Sequence, residues 1–461
     1  MNEVVLVGNN LAMMVAASEL ARRGKAVTLL TDGRPLGAHF AGMTVQGLDF
    51  DVGMVLLEQI APTNPCDDLR QYRSAVRNDW TRFGHLASQW LQAQQTLRRV
   101  PTPECRVGGR VWPDYLIANR LEALAASPLP GPDACARTDP RHPLHKLGGT
   151  AYDNMSYAEA AQFNHGQPLH DTFIEPFVRK LLGVDSPAFL ARFHRAAWVP
   201  LFYPETLRAA QRGQAVELPE YPFWTTGTGF TGQLVRDLRD ALQASPRVTL
   251  RTEPLKALSA GTAGLHVGLE GGASLHSARA ALGLPSDRCH ALLGPTLPVP
   301  EGSGSPAASV SVAFARVRAN AIGAPTSCQM VVDDDHAAYR LTDQDALAGL
   351  DTDWHRISIE ASPARLAQQH PGLPPEQALA FELRSLLRVD GEQAVEVLKC
   401  ITARNALVLP TAQAVAAADA AANVLDAALP GVAKTGNLLG YGVASLNDQL
   451  VQGLKIAEEL S

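Results

Sequence analysis

A stretch that could bind phosphate lies at residues 4–24, which read VVLVGNNLAMMVAASELARRG. Gly8 ends a short apolar run, and a run rich in Ala, Leu and Met begins at Leu11. A turn between a buried strand and a helix points free N–H groups at a phosphate, and the helix dipole favours the negative charge. A dinucleotide-binding turn has three glycines, but Asn10 and Met13 occupy the second and third positions. The residues therefore indicate a dinucleotide site that lacks two of its glycines.

Two other groups of residues have spacings that could suit a metal ion. His142 and His145 are three residues apart, but Pro143 between them prevents a regular helical face. The run Asp333-Asp334-Asp335-His336 could bind a cation, although a polar hairpin turn explains it better. We therefore predict no metal site. The GxSxG motif of one class of serine hydrolases does not occur.

Cations and aromatic residues alternate between Arg192 and Tyr203. One interpretation is an aromatic-walled pocket that binds an anionic group, with Arg195 as a substrate contact. The other is a helix end packed by aromatic side chains, with the arginines in water, and this interpretation is slightly favoured.

The composition is that of a globular protein, with 46% hydrophobic and 19% charged residues. The net charge of −6 and the absence of a long basic run argue against nucleic acid or an anionic membrane as the main partner. Six cysteines occur without a CxxC pair, and no apolar run is long enough to span a membrane. We expect a cytoplasmic protein whose partner is a small molecule.

A βαβ unit should hold the first turn. The spacing predicts a buried strand at 4–7, a helix at 11–23 that ends before Gly24, and a second buried strand at 27–30. Strands this close in sequence and joined by a helix are parallel.

Further along the chain, apolar periodicity predicts helices at 68–100, 157–195 and 228–244 and a last helix that begins near Ser445. Loops with short helices are predicted at 101–150, and a domain crossing at 302–306. Strands are predicted at 248–250, 265–269, 309–316 and 356–360.

The predicted fold is α/β with two domains. A Rossmann-like dinucleotide-binding domain would be built from the discontinuous segments 1–60, 220–300 and 425–461. A sheet-plus-helix substrate domain, 61–219 and 301–424, would be inserted in it.

An ordered set of motifs supports this division. They are RPLGAHFAGMTVQGLDFDVG, GTGFTGQLVRDLRDAL, AAYRLT, LVLPTAQA and TGNLLGYGVASLNDQLVQGLKIAEEL. In this order, and together with the N-terminal unit, they resemble the FAD-dependent amine oxidase, protoporphyrinogen oxidase and UDP-galactopyranose mutase family. The resemblance covers most of the chain and implies FAD as the cofactor.

The resemblance also implies which residues approach the FAD. Thr31 or Asp32 would bind the ribose, and the backbone of Leu255 would hold the adenine. The remaining residues would follow the pyrophosphate and the flavin: Gly8, Asn10, Leu11, Gly37, Ala38, His39, Phe40, Gly53, Gly436, Asn437 and Leu446. Asn10, Met13, Thr31 and Ala38 depart from the family pattern, which makes a weakened or lost FAD site one outcome.

Substrate contacts are implied at Tyr339 and Arg340, since related mutases place substrate- or flavin-facing residues on this strand. Alternation along a strand directs one of the two side chains at the cavity, and we favour Arg340. Trp224 is a further candidate for the cavity wall.

Three functions remain open. The first is an FAD-dependent oxidoreductase, in which flavin N5 accepts hydride from a small molecule, so no catalytic side chain need stand out in the sequence. The second is a redox-neutral mutase, but Met54 and Val55 follow Gly53 where the mutases have a histidine. The third is a non-enzymatic binding protein that kept the fold and lost FAD, and such a protein could have a protein partner.

Overall fold

A computed structural model describes the chain except for residues 1–2, 60–64, 73–78, 119, 128, 130–153, 203, 215–221, 262–263, 295–305 and 443–444. The described strands are β1 Val4–Gly8, β2 Val27–Leu30, β3 Met43–Val45, β4 Leu48–Phe50, β5 Leu57–Glu58, β6 Leu97–Arg99, β7 Glu104–Val107, β8 Arg110–Pro113, β9 Phe223–Thr226, β10 Val248–Arg251, β11 Leu255–Gly261, β12 Gly264–Leu269, β13 Ser274–Ser277, β14 Arg279–Gly283, β15 Ala307–Arg318, β16 Cys328–Val331, β17 Ala338–Asp343, β18 Trp354–Ala361, β19 Val395–Val408 and β20 Ala433–Lys434.

The described α-helices are α1 Leu11–Arg22, α2 Asp79–Gln94, α3 Tyr157–His165, α4 Gln167–Leu169, α5 Glu175–Leu182, α6 Pro204–Gln211, α7 Gly232–Ala244, α8 Ser286–Leu293, α9 Gln344–Leu347, α10 Pro363–Gln369, α11 Pro375–Leu387, α12 Ala412–Ala428 and α13 Leu446–Glu459. Short 3-10 segments and one π-helical turn, His170–Ile174, connect several of them. Among the described helices, none combines the length and apolar character needed to cross a membrane.

A parallel sheet of five strands forms the first layer, in the order β10-β2-β1-β14-β20. Its strands come from three stretches that are far apart in the sequence, and every neighbouring pair is parallel. The predicted mixed α/β fold with a discontinuous Rossmann-like unit is confirmed. The exact domain bounds stay a prediction.

The two faces of β1 bury different cores, as alternation along a strand requires. Val4 and Leu6 pack with α1, α7 and α13, whereas Val5 and Val7 pack with the sheet β11-β12-β13 and with α8. These four side chains are 0–2% exposed. Apolar runs buried on both faces are typical of parallel sheets covered by helices, which explains why the sequence pattern located these strands.

A sheet of seven strands forms the second layer, in the order β19-β15-β18-β17-β16-β7-β8. Helix α11 and neighbouring side chains cover one face, and a helix-rich region with its own aromatic core covers part of the other. The predicted strands 309–316 and 356–360 lie here as β15 and β18, which pair antiparallel. A small sheet, β5-β9-β6, contributes Leu57 to the core beside α1 and Phe223 to the aromatic core of the helix-rich region.

Four predicted elements were wrong in detail. The predicted helix 157–195 is divided into α3, α4 and α5, and only 3-10 segments follow Leu182 in this range. The predicted helix 68–100 is interrupted, since among its described residues α2 is the one α-helix and residues 97–99 form β6. The predicted loops at 101–150 contain the strands β7 and β8. The predicted helix 228–244 begins only at Gly232, because Asp51 accepts hydrogen bonds from the N–H groups of Thr231 (3.0 Å) and Gly232 (3.3 Å) and so fixes its start.

Candidate functional site

The turn between β1 and α1 is held closed by the Asn10 side chain. Its Oδ1 accepts a hydrogen bond from the N–H of Met13 (3.0 Å), which makes Asn10 the N-cap of α1. Its Nδ2 donates to the carbonyl oxygen of Gly283 and to Oγ1 of Thr435, both at 3.0 Å. One amide side chain therefore joins the ends of β1, β14 and β20.

Glycines at the ends of β1 and β14 allow this close packing. A Cβ on Gly8 would lie 2.7 Å from the Gly283 carbonyl carbon. A Cβ on Gly283 would lie 2.7 Å from Asn10 Nδ2 and 2.8 Å from Met13 Cγ. Met13 and Leu11 are both fully buried. The side chains that replace two expected glycines thus fill space left free by a glycine on the next strand.

Helix α13 supplies polar side chains to the same region. Gln449 Oε1 accepts a hydrogen bond from the N–H of Ala12 (3.0 Å), in the first turn of α1. Gln452 Oε1 accepts from the N–H of Gly436 (2.9 Å). Leu446 is buried and begins this helix, as predicted, after the N-cap Ser445.

The acidic residue after β2 has protein partners of its own. Asp32 accepts two hydrogen bonds from the Arg288 guanidinium (2.7 and 2.9 Å) and one from the N–H of Leu255 (2.8 Å). Burial alone would raise the pKa of the Asp32 carboxyl, but the hydrogen bonds from Arg288 and Leu255 outweigh it and hold the pKa below its usual value. Thr31 is buried, and its hydroxyl has no hydrogen-bond partner. The two predicted ribose and adenine positions, Asp32 and Leu255, therefore contact each other.

The segment Gly37–Phe40 forms a tight turn beside α7. Gly37 has φ +89°, and a Cβ there would lie 2.3 Å from Val235 Cγ1, so only glycine fits. Ala38 also has a positive φ of +46°. Phe40 is buried, whereas His39 is exposed. The neighbouring protein groups lower the pKa of His39, chiefly through partial loss of its hydration.

Arg340 and Tyr339 share one acidic partner. Arg340 donates from Nε and Nη2 to the two carboxylate oxygens of Glu360 (2.7 and 2.6 Å), and the Tyr339 hydroxyl donates to Glu360 at 3.2 Å. The Arg340 and Glu360 side chains are 11% and 5% exposed. A Cβ on Gly53 would lie 3.4 Å from Arg340 Nη2. Arg340 and Gly53, two of the predicted site residues, are therefore neighbours.

The remaining predicted residues lie around these groups. Trp224 is half-buried on β9, opposite Leu57, and its indole N–H is buried with no hydrogen-bond partner. Asn437 is exposed, and Gly436 has φ +62°. Arg195 belongs to the 3-10 segment Ala191–Ala197, and its side chain lies outside the described part of the chain.

The candidate cation sites give no metal centre among the described residues. Asp333–His336 lies in the hairpin that joins the antiparallel strands β16 and β17, as predicted. Its Asp333 carboxylate accepts hydrogen bonds from the N–H groups of Gly108 (2.6 Å) and Gly109 (2.8 Å). His142 and His145 lie outside the described residues. The five described cysteines are free thiols.

One arrangement in the helical region has the order of a catalytic triad. His170 lies 2.9 Å from the Ser186 hydroxyl and 2.8 Å from an Asp171 carboxylate oxygen. Ser186 is fully buried, and its N–H donates to Glu175 (3.1 Å). A nucleophile must reach its substrate, so we interpret this chain of hydrogen bonds as structural.

A surface cavity of about 190 Å³ lies along α13 and β20, at a distance from Arg340 in the fold. Its two lysines have acidic partners, Lys434 with Asp426 (2.7 Å) and Lys455 with Glu459 (3.6 Å). The cavity therefore offers little net positive charge for an anionic ligand.

No protein-family model matches the sequence, and no curated protein matches it. Solved structures do resemble the fold. A protein from Exiguobacterium sp. 255-15 assigned as a protoporphyrinogen oxidase has a TM-score of 0.64 and 17% identity, over 99% of this chain and 98% of that one. A reduced UDP-galactopyranose mutase has a TM-score of 0.67 and 14% identity, over 100% of this chain and 95% of that one.

A putrescine oxidase bound to putrescine also resembles the chain, with a TM-score of 0.58 and 14% identity over 99% of this chain and 98% of that one. The chain has the fold of these enzymes. The resemblance inferred from the motifs is therefore confirmed at the level of fold. At such low identity the fold does not carry an activity with it.

The side chains at the β1–α1 turn do not fit the pyrophosphate of FAD. Phosphate oxygens need free N–H groups at this turn, but those of Ala12 and Met13 donate to Gln449 and Asn10. At the positions predicted for the flavin, Gly37 and Gly53 leave backbone without side chains, but Val235 fills the space beside Gly37.

Four residues that fix the geometry of the candidate site were not predicted from the sequence: Gln449, Gln452, Arg288 and Glu360. Glu360 could have been found, because the antiparallel pairing of two predicted strands places it opposite Arg340. The other three contact residues more than ten positions away through side chains alone, and no local pattern signals such contacts.

Proposed function

We propose that this protein binds a small polar molecule at the junction between the parallel sheet and the seven-stranded sheet. The observation that carries the proposal is the Arg340–Glu360 pair, which lies beside the bare backbone of Gly53. His39 lies within electrostatic reach of both charges. Because Glu360 neutralises Arg340, the site suits a polar ligand better than a strongly anionic one.

An FAD-dependent oxidoreductase of the amine oxidase type is the enzyme candidate for this site, and it would require the β1–α1 turn to open for the FAD pyrophosphate. Gly37 and Gly53 support this candidate. The mutase is less well supported, since Met54 and Val55 are both buried after Gly53 and no histidine follows that glycine.

A binding protein without FAD is the candidate from another class. The specific observation in its favour is that Asn10 and Gln449 accept the hydrogen bonds of the first turn of α1. A protein partner would be expected for this candidate. All three candidates place their ligand at the junction.

The junction is tested by thermal unfolding in the presence of diamines, aromatic amines and UDP-sugars. The double variant R340M/E360M removes the pair without leaving one buried charge alone. R316M/E396M is the matched control, since Arg316 and Glu396 form a pair (2.6 Å) on β15 and β19 of the same sheet, where both are about 40% exposed.

A compound that binds at the junction should raise the Tm of the wild type and of the control, but not that of R340M/E360M. Equal shifts in all three proteins, or no shift with any compound, would contradict the proposal.

A further inference from the structure

We infer that the phosphate-binding turn of this fold is permanently occupied by the protein's own amide side chains, so that the chain works without a dinucleotide bound there. The closure concerns the carboxyl end of the parallel sheet and is compatible with any junction ligand that is not a dinucleotide. Three separate contact regions of a dinucleotide are involved, and each has been replaced by intramolecular partners.

The first region is the N-terminus of α1. A helix leaves its first N–H groups without partners inside the helix, and a pyrophosphate would bind to them. Here the N–H of Ala12 donates to Gln449 and that of Met13 donates to Asn10, both at 3.0 Å. Two of the N–H donors that a phosphate would bind at this helix start are therefore already used.

The Asn10 side chain also fills the space in front of these amides. Its three hydrogen bonds, to Met13, Gly283 and Thr435, are all 3.0 Å long. A phosphate would have to displace all three. Because Gly283 has no side chain, Asn10 and Met13 both fit against it. The larger residues Asn10 and Met13 at the start of α1 are thus matched by a glycine at the end of β14.

The second region is the turn after β20. The N–H of Gly436 donates to Gln452 Oε1 (2.9 Å), whose Nε2 donates to Asp448 Oδ2 (3.1 Å). Asp448 places an acidic side chain in the same buried face of α13, which disfavours a phosphate nearby. Helix α13 can pack close to α1 because Gly453 has no side chain. A Cβ there would lie 2.7 Å from the Ala12 carbonyl oxygen.

The third region is the end of β2. Ribose hydroxyls would donate to the acid there, but Asp32 accepts three hydrogen bonds from Arg288 and Leu255. Arg288 also donates to the Leu255 carbonyl oxygen (2.9 Å). Both the acid and the backbone position predicted for the adenosine are therefore satisfied by one arginine.

The decisive experiment uses the full wild-type chain. We expect it to purify without flavin absorbance and to show no binding of added FAD or NAD⁺ in equilibrium dialysis. Amide hydrogen exchange of residues 9–14 should be unchanged by either probe. Stoichiometric binding of FAD or NAD⁺ that slows exchange in this segment would overturn the inference. Binding that leaves these amides unchanged would place the probe elsewhere and agree with the closure.

Variants test which side chains close the turn. Gln449→Ala should speed exchange of the Ala12 amide by about tenfold, because its acceptor is lost. Gln413→Ala, at an exposed glutamine of α12, is the matched control and should change nothing there. Equal exchange in the two variants would contradict the assignment of Gln449.

The triple variant N10G/M13G/Q449A should bind FAD where the wild type does not. A folded triple variant that binds none would contradict the role of these three side chains. If it fails to fold, the wild-type exchange measurement still decides. Failure of the junction proposal would instead appear as equal Tm shifts in R340M/E360M and leave these readouts unaffected.

Discussion

Arg340 and Glu360 lie opposite each other on the neighbouring antiparallel strands β17 and β18, and their side chains meet in two hydrogen bonds of 2.7 and 2.6 Å. The pair connects the seven-stranded sheet to the backbone of Gly53. Both charged side chains are largely buried, so removing only one of them should destabilise the fold.

Arg340→Met alone should lower the free energy of unfolding by about 3–5 kcal/mol, because it leaves the Glu360 carboxylate buried without a countercharge. R340M/E360M should lose clearly less, since no charge remains. Urea unfolding of the wild type, both single variants and the double variant measures this coupling. Equal losses in the single and double variants would contradict it.

Glu382 should make stability depend on acid pH. It lies in α11 and accepts hydrogen bonds from His336 (3.0 Å), His370 (2.6 Å) and the N–H of Ala337 (3.0 Å). Burial alone would raise the pKa of Glu382, but these hydrogen bonds outweigh it and lower the pKa to about 2. A lowered pKa gives stability that is complete above the ordinary pKa and is lost as the pH falls toward about 2.

Glu382→Gln should therefore cost about 1.5–3 kcal/mol near neutral pH, and the difference from wild type should shrink as the pH falls below about 4. Chemical unfolding at several pH values tests it, with Glu376→Gln, at an exposed position of the same helix, as the control. A loss that stays constant down to pH 2 would refute this origin.

Asp51 should act in the opposite direction. Burial raises its pKa to about 6, even though Thr231 and Gly232 donate hydrogen bonds to it. A raised pKa gives stability that is complete below the ordinary pKa, near 4, and is lost as the pH rises through about 6.

Asp51→Asn should remove this fall in stability between about pH 4 and 6, as measured by urea unfolding across that range. Asp353→Asn is the control, since Asp353 is exposed. If the variant and the wild type have parallel pH profiles, Asp51 does not titrate in this range.

Gly453→Ala should separate two helices. The new Cβ would lie 2.6 Å from Val15 Cβ and 2.7 Å from the Ala12 carbonyl oxygen, so α13 must move away from α1. We expect a loss of about 1–3 kcal/mol in the free energy of unfolding, despite the better helix propensity of alanine. Gly271→Ala, which meets no atom within 4 Å, should be nearly neutral.

The sequence predicted the elements whose determinants are local. Val4–Val7 is an unbroken apolar run, and the parallel sheet buries it on both faces. Ser445 caps the last helix by accepting a hydrogen bond from the N–H of Asp448 (3.1 Å). The two residues are three positions apart, so the cap can be recognised in the sequence.

Elements that depend on distant partners were predicted less well. The start of α7 is set by Asp51, which lies 180 residues earlier than Thr231. Strand β6 forms only because β9 pairs with it, Leu97 opposite Thr226. Neither partner can be recognised from the sequence next to the element that it fixes.

The candidate site also contains residues that the local sequence could predict and residues that depend on distant partners. Asn10 and Met13 could be singled out because glycines were expected there. Gln449 could not, because a glutamine on an amphipathic helix has the pattern of a solvated residue. Only the packing of α13 on α1 shows that it is buried and accepts a backbone hydrogen bond.

The contact between Ala12 and Gln449 joins residues 437 positions apart. During synthesis at about 5–20 residues per second, α1 leaves the ribosome roughly 20–90 s before its partner helix exists. Through that interval its apolar face lacks α13, and until residue 283 has been made it also lacks β14. The nascent chain must therefore keep residues 11–22 from aggregating until these partners exist.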